Sequence, residues 1–371
     1  MIDNYVTRRT FLEKTWKAAL TGSTFLYIQN TLGCAPFPKE DRKHVSQIKW
    51  RCNPALPIPE NGGIYIGTNK SSCLYLSEED VVHGFKNSYG KNPTFLAPGK
   101  GRIGASDNRF PWDLVNTAHQ MGAIPMIRYV VNPKDRWWGT LPKFSPRKGF
   151  GWINKGSSDD YIKEFGAEAA KLNKPIIVVP FQQVNAYNTR LYPWGGPNNA
   201  GPFKETYVRI YDIWKKEGAL DNVIMALKLK VGRWEHWQYP NPLSYIPPIE
   251  KVDIIGWCVN NHCQPHRHTP SKTFEELLKH TYSRAVSKYP NTPQFIWELM
   301  CNSTCKQDVW LEDALSNIEN KYHWIRAVNL DECSDGRGNF VVYPEPIGKS
   351  IEVVRNHFTK PIYIGNILPK I

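Results

Sequence analysis

The sequence predicts an α/β protein closed as a (β/α)8 TIM barrel, and three observations carry that prediction. Eight short apolar runs of strand length recur between residues 63 and 329. Amphipathic segments of helical length separate most of them, the alternation expected of repeated strand and helix units. The connections after the third to sixth runs are long and rich in tryptophan, and in a barrel those connections open on the carboxyl-end face, where substrate binds.

In chain order the expected strands are Gly63 to Gly67, Thr94 to Ala97, Ile124 to Tyr129, Ile176 to Phe181, Val223 to Leu227, Asp253 to Cys258, Gln294 to Trp297 and Ile325 to Asn329. Helices are expected at Ser77 to Asn87, Trp112 to Met121, Asp160 to Leu172, Phe203 to Glu217, Phe274 to Lys288 and Val309 to Ile318. Ser77 and Asp160 sit where an N-cap oxygen is wanted. Gly122 and Gly218 follow helix ends that call for a left-handed residue. The Pro- and charge-rich stretch 35–61 reads as a linker or as a strap lying on the barrel, and 62–371 as the barrel domain.

A chain of 371 residues with 41% hydrophobic and 22% charged content has ample material for one large core. Its net charge of +13 comes from Lys and Arg spread along the chain without a dense basic run, which argues against nucleic acid as the partner. Aromatic residues make up 13%, with 14 Trp, a surplus suited to flat apolar platforms for sugar rings or nucleobases.

The N-terminus carries its own signal. Paired arginines, Arg8 and Arg9, precede Phe11 and Leu12, and a mostly apolar run from Ala18 to Leu32 ends at Cys34. This resembles a twin-arginine export signal over residues 1–34, with an imperfect lipobox whose Cys34 would be acylated. The expectation is a periplasmic or extracellular protein, with membrane attachment through a lipidated Cys34. Export favours disulfides among Cys52, Cys73, Cys258, Cys263, Cys301, Cys305 and Cys333, an odd number that leaves one thiol over. The cluster Cys258, His262, Cys263, His266 and His268 has ligand chemistry but matches no zinc spacing. No metal or cofactor is expected.

The stretch "VVPFQQVNAYNTRLYPWGG" (178–196) poses the functional question. It runs from a buried strand into an aromatic, amide-rich loop, the place for barrel chemistry, yet it holds no acid and no base. The wider pattern resembles glycoside hydrolase family 26, in which mannanases and related endo-β-glycanases are prominent. "GGIYIGTN", "FPWDLVNTAHQMGAIPMIRY", "DDYIKEFGAEAAKLNKPIIVVPF" leading to "QQVN", "YPWGG", "EGALDNVIMAL", "KVDIIGWCV" and "PQFIWEL" occur in that family's order between about Gly62 and Asn329.

The resemblance implies a nucleophile at Glu298, in "FIWEL". It places the family's acid/base glutamate, from a Pro-Phe-His-Glu-Met-Asn motif, at Gln183, the neighbouring histidine at Gln182 and the asparagine at Asn185. A glutamine keeps glutamate's size but cannot deliver a proton. Substitute acids in the sequence are Glu235, Asp331 and Glu332, or His262 and His266. Glu298 also has a structural alternative, as the buried partner of a cation such as Arg128. Further departures are "IMALKLK" after strand five, where a Trp-containing segment is usual, and Val259 and Asn260 where a Tyr is usual. Lys228, Lys230 and Arg233 there make the cleft basic, which suits an acidic polysaccharide. Gln182, Asn185, Tyr187, Tyr192, Trp194, Trp234, Trp257 and Asn260 are the expected sugar-binding residues. Hydrolysis of a polysaccharide, glycan binding with hydrolysis lost, and lyase or transferase chemistry in the same cleft all remain open at this point.

Overall fold

The computed structural model describes residues 48–59, 62–69, 77–97, 110–131, 146–186, 192–231, 241–262, 271–331, 334–335, 338–339 and 349–368. The chain divides into two units, 1–39 and 40–371. The first lies outside the described residues, and with it the paired arginines and Cys34.

The second unit is a closed barrel of parallel strands, β1 (Ile64–Asn69), β2 (Phe95–Ala97), β3 (Ile124–Tyr129), β4 (Ile176–Pro180), β5 (Val223–Lys230), β6 (Ile254–Asn261), β7 (Gln294–Cys301) and β8 (Ile325–Asp331). Each pairs with the next, and β1 pairs with β8 from Tyr65↔Ala327 to Asn69↔Asp331, which closes the ring. β5 to β8 run on past their expected ends to Lys230, Asn261, Cys301 and Asp331, so the ladder continues into a polar rim.

The six expected helices form within a few residues of their expected bounds. Ser77 caps Glu78–Tyr89 by a reciprocal capping box with Asp80. The expected cap at Asp160 is not one. The helix Asp159–Ala170 starts one residue earlier, with Ser158 at its N-cap and no side-chain cap bond. Gly122 and Gly218 take φ of 77° and 76°, the left-handed conformation expected of them. Two helices without a sequence expectation, Pro146–Asn154 and Ser350–Phe358, complete the coat. The latter leads to a short strand, Tyr363–Ile364, that pairs with β1.

Residues 48–59 lie across the amino ends of the strands. Asn53 donates to the carbonyls of Leu220 and Val223 at 2.6 and 3.0 Å, Arg51 to those of Ile249 and Val252, and Arg326 reaches Pro59 O at 2.5 Å. Leu56 thereby enters the barrel core beside Tyr65, Phe95 and Phe295.

Alternation along each strand sends Tyr65, Met126, Val179, Ala226, Ile254 and Ala327 inward. Trp297 is the largest inward side chain, and Gly256 makes room for it. A Cβ at 256 would stand 1.7 Å from the Trp297 indole nitrogen and 2.4 Å from Leu227 O. Gly256→Ala should therefore cost about 3 kcal/mol, the upper end for overpacking, read as a lowered denaturant midpoint. A variant as stable as the parent would show that Trp297 can move aside freely.

Candidate active site

β4 stops at Pro180, and the chain turns sharply. Phe181 and Gln183 both adopt left-handed backbone, φ 49° and 52°, a conformation costing about 1–3 kcal/mol for each non-glycine residue. The surroundings hold it in place. Phe181 N donates to Tyr129 O at 2.9 Å, Gln183 N to Lys228 O at 2.7 Å, and Ala186 N to Gln183 O at 2.8 Å. Beneath the turn, the buried indole of Trp194 donates to Gln182 O at 2.9 Å. Asn185 clamps the turn to β5 in both directions, Nδ2 to Lys230 O at 2.8 Å and Oδ1 from Lys230 N at 2.9 Å. The Gln183 side chain is thus presented from a rigid, strained corner.

Glu298 comes from β7 through a β-bulge. Ile296 pairs with Trp257 and Glu298 with Cys258, while Ile296 and Leu299 face Val328 and Leu330 on the other side. Trp297 is the extra residue. A regular strand would point residues 297 and 298 to opposite faces, but the bulge lets Trp297 fill the barrel while Glu298 reaches the inward side chains above it.

Side chains from several strands converge on the Glu298 carboxylate. Lys228 Nζ lies 2.6 Å from Oε1, and Gln183 Nε2 donates to Oε2 at 2.9 Å. Asn260 Nδ2 donates to the same oxygen at 3.3 Å. Glu298 is 5% exposed and Lys228 2%. Burial alone would raise the carboxyl pKa. The Lys228 charge and hydrogen bond, the Arg128 charge and the Asn260 amide outweigh it and hold Glu298 well below the usual carboxylate range. Burial, reinforced by the Glu298 charge, pushes the Cys258 thiol well up, so it stays neutral.

The arrangement fixes a dry, permanent anion at the carboxyl end of the barrel. Such a group can attack, or stabilise, a positively polarised sugar carbon. The hydrogen-bond donors that reach it from Gln183 and Asn260 are amides, which cannot deliver a proton. Gln183 faces Glu298 as the resemblance implied, but the two touch. A retaining pair stands about 5–5.5 Å apart, so a sugar would have to part them.

The other expected residues divide clearly. Asn260 belongs to the site. Tyr192 is half-buried, edge-on to Trp194 at 6.0 Å. Gln182 is buried on the same turn. Asn185 does not serve a sugar, because both ends of its amide are spent on Lys230. Trp194 does not stack on one either, being fully buried as the floor of the turn. Trp257 is also misplaced by the sequence reading. Its neighbours Gly256 and Cys258 face inward, so its own ring points to the helical coat, where it donates to Gln294 Oε1 at 2.7 Å. Tyr187, Trp234, Glu235, Arg233, Glu332 and His266 lie outside the described residues, as do Cys263 and His268. Asp331 ends β8 and is buried, and His262 follows β6.

Cys52, Cys258 and Cys301 are free thiols, and Cys305 is disulfide-bonded. Lys228, counted from sequence only as part of a basic cleft, is the cation that Glu298 pairs with. Its inward register with Ile224 and Ala226 was the available signal.

No protein-family model matches the chain, and no curated protein matches it in sequence. Solved structures do. A modular endo-β-1,4-mannanase of Cellulomonas fimi, of glycoside hydrolase family 26, aligns with TM-score 0.58 and 14% identity over 82% of this chain and 72% of that one. A family 26 β-mannanase of Bacteroides ovatus gives 0.61 and 15% over 88% and 96%, and a Bacillus subtilis mannanase 0.55 and 13% over 89% and 94%. At such identities the likeness is one of architecture, and it places this chain among (β/α)8 barrels with the fold of the family 26 mannanases.

Proposed function

We propose that the protein is an exported, glycoside hydrolase-like barrel that engages a polysaccharide in its carboxyl-end cleft, with hydrolysis held back for want of a proton donor. The observation that carries this reading is the 2.9 Å contact between the Gln183 amide and the Glu298 carboxylate. It supports the reading that an amide stands where a hydrolytic pair would have its second carboxyl. The names of the three structural neighbours given above, each a mannanase, support a β-linked glycan as the ligand class. Screening the mature protein against a polysaccharide panel, scoring binding and reducing ends together, tests the reading. Binding with little or no cleavage is expected, and absence of binding to every glycan would end it. A second reading keeps full hydrolysis with another acid, and the burial of Asp331 at the end of β8 is what favours it. Wild-type turnover that Asp331→Asn abolishes would establish that reading.

Export follows the twin-arginine route in this proposal, with lipid attachment at Cys34. Replacing Arg8 and Arg9 together by lysine should trap precursor in the cytoplasm. Normal periplasmic accumulation of that variant would remove the route, and a mature N-terminus without diacylglycerol would remove the anchor.

A further inference from the structure

We infer that the amino-end face of the barrel is a docking surface for an anionic phospholipid bilayer, which leaves the Glu298 cleft on the far side, open to polymer. The inference rests on the Cys34 anchor proposed above and adds the surface that meets the membrane. Its first support is where the chain enters. The described residues begin at Ile48, on that face. Trp50 lies edge-on to Trp324 at 6.5 Å, Arg51 N donates to Asn291 O at 2.7 Å, and Asn53 reaches Leu220 O at 2.6 Å. From Cys34 to Ile48 is a step of fourteen residues, which spans at most about 50 Å. An acyl group at Cys34 thus tethers the barrel by the face opposite the cleft.

The second support is the make-up of the face. Ile58, Ile364, Ile367 and Leu368 pack against the core at the amino end yet stay half-buried. Helices run antiparallel to the strands, so their last turns open on the same end and bring the exposed Lys86, Lys215, Lys216 and Lys288 there, with Lys49 added from residues 48–59. None of these five has a carboxylate partner among the described residues, and Lys288 lies over the Tyr289 ring. Lys91 and Lys174 donate to backbone carbonyls and keep their charge. Other lysines of this face are neutralised, Lys171 by Glu168 and Lys251 by Asp212. Against these cations stand Glu217, Asp221 and Glu250, so positive charge prevails. A last-turn lysine suits the helix dipole, which accounts for each one singly. Apolar side chains and unneutralised lysines sharing the face by which the chain is tethered make a surface suited to anionic headgroups.

The test is co-sedimentation with vesicles of phosphatidylcholine, alone or mixed with phosphatidylglycerol. The mature protein is produced with Cys34→Ser, and so without an acyl group. It should bind the anionic vesicles and not the neutral ones, and come off as salt is added. Lys49→Gln/Lys215→Gln/Lys216→Gln should weaken that binding about tenfold or more, since each lysine near a charged surface contributes about fivefold. Three exchanges toward the cleft end, Lys163→Gln/Lys204→Gln/Lys306→Gln, should cost far less. On the vesicles, amide hydrogen exchange should slow in 48–59 and 362–368 and not at the carboxyl ends of β5 to β8. No binding to anionic vesicles, equal losses in the two triple variants, or protection at the cleft end overturns the inference. Lysine-dependent binding in a protein whose wild-type N-terminus proves unacylated removes the anchor and leaves the docking face standing.

Discussion

Gln183→Glu should raise hydrolysis of a bound glycan by about 10² or more, the lower bound usually credited to general acid/base help. Two carboxyls in the place of the 2.9 Å amide contact cannot both ionise. Lys228 and Asn260 hold Glu298 as the anion, so the shared proton settles on the new carboxyl, whose pKa is raised. That is the resting state of a general acid facing an ionised nucleophile. The gain should fade at high pH as residue 183 ionises, giving a falling alkaline limb that the wild type lacks. Measured rates with and without the substitution decide the matter. An unchanged or reduced rate in a variant that still binds glycan would show that Gln183 does not occupy the acid position.

Lys228→Met should destabilise the fold by about 3–5 kcal/mol, because it takes the ion-pair partner from the buried Glu298 carboxylate. Much of that loss should return in Lys228→Met/Glu298→Gln, since replacing both charges of a buried pair is often close to neutral. The wild-type pair also sets a pH dependence. Glu298 has a folded pKa below its unfolded value, so the unfolded chain binds the proton more readily. Its contribution to stability is present above the ordinary glutamate range and is lost as pH falls through the depressed folded value. Denaturant midpoints between neutral and acid pH, for wild type and Glu298→Gln, measure it as a difference that closes at low pH. Equal acid slopes for the two proteins would mean that Glu298 does not titrate as described.

The barrel was legible from sequence because parallel strands covered on both faces write themselves as apolar runs, and every expected strand formed. Their carboxyl ends were not legible for the same reason. Lys228, Lys230, Asn260 and Glu298 break the apolar pattern, yet the ladder continues through them, with Lys228 and Asn260 both meeting the Glu298 carboxylate. The partnership of Lys228 with Glu298 depends on a bulge at Trp297 that no periodicity reveals. Trp194 and Trp257 were both expected to bind sugar, because tryptophan near a cleft suggests contact with a ring. The direction of each ring depends on strand parity and on one buried acceptor, Gln182 O for Trp194 and Gln294 Oε1 for Trp257. Asn185 was placed on the right turn with the wrong task, since its two-way bond to Lys230 needs the three-dimensional neighbour. The glutamine at position 183 was visible from the start, and only the structure shows that its amide touches the carboxylate it was expected to face.

The most direct measurement follows binding and bond cleavage in the same wild-type sample, using calorimetry for glycan association and reducing-end release for hydrolysis. Saturable binding with cleavage absent, or slower than in Gln183→Glu by about 10² or more, is the result this account predicts. Cleavage by the wild type as fast as by the glutamate variant would contradict it.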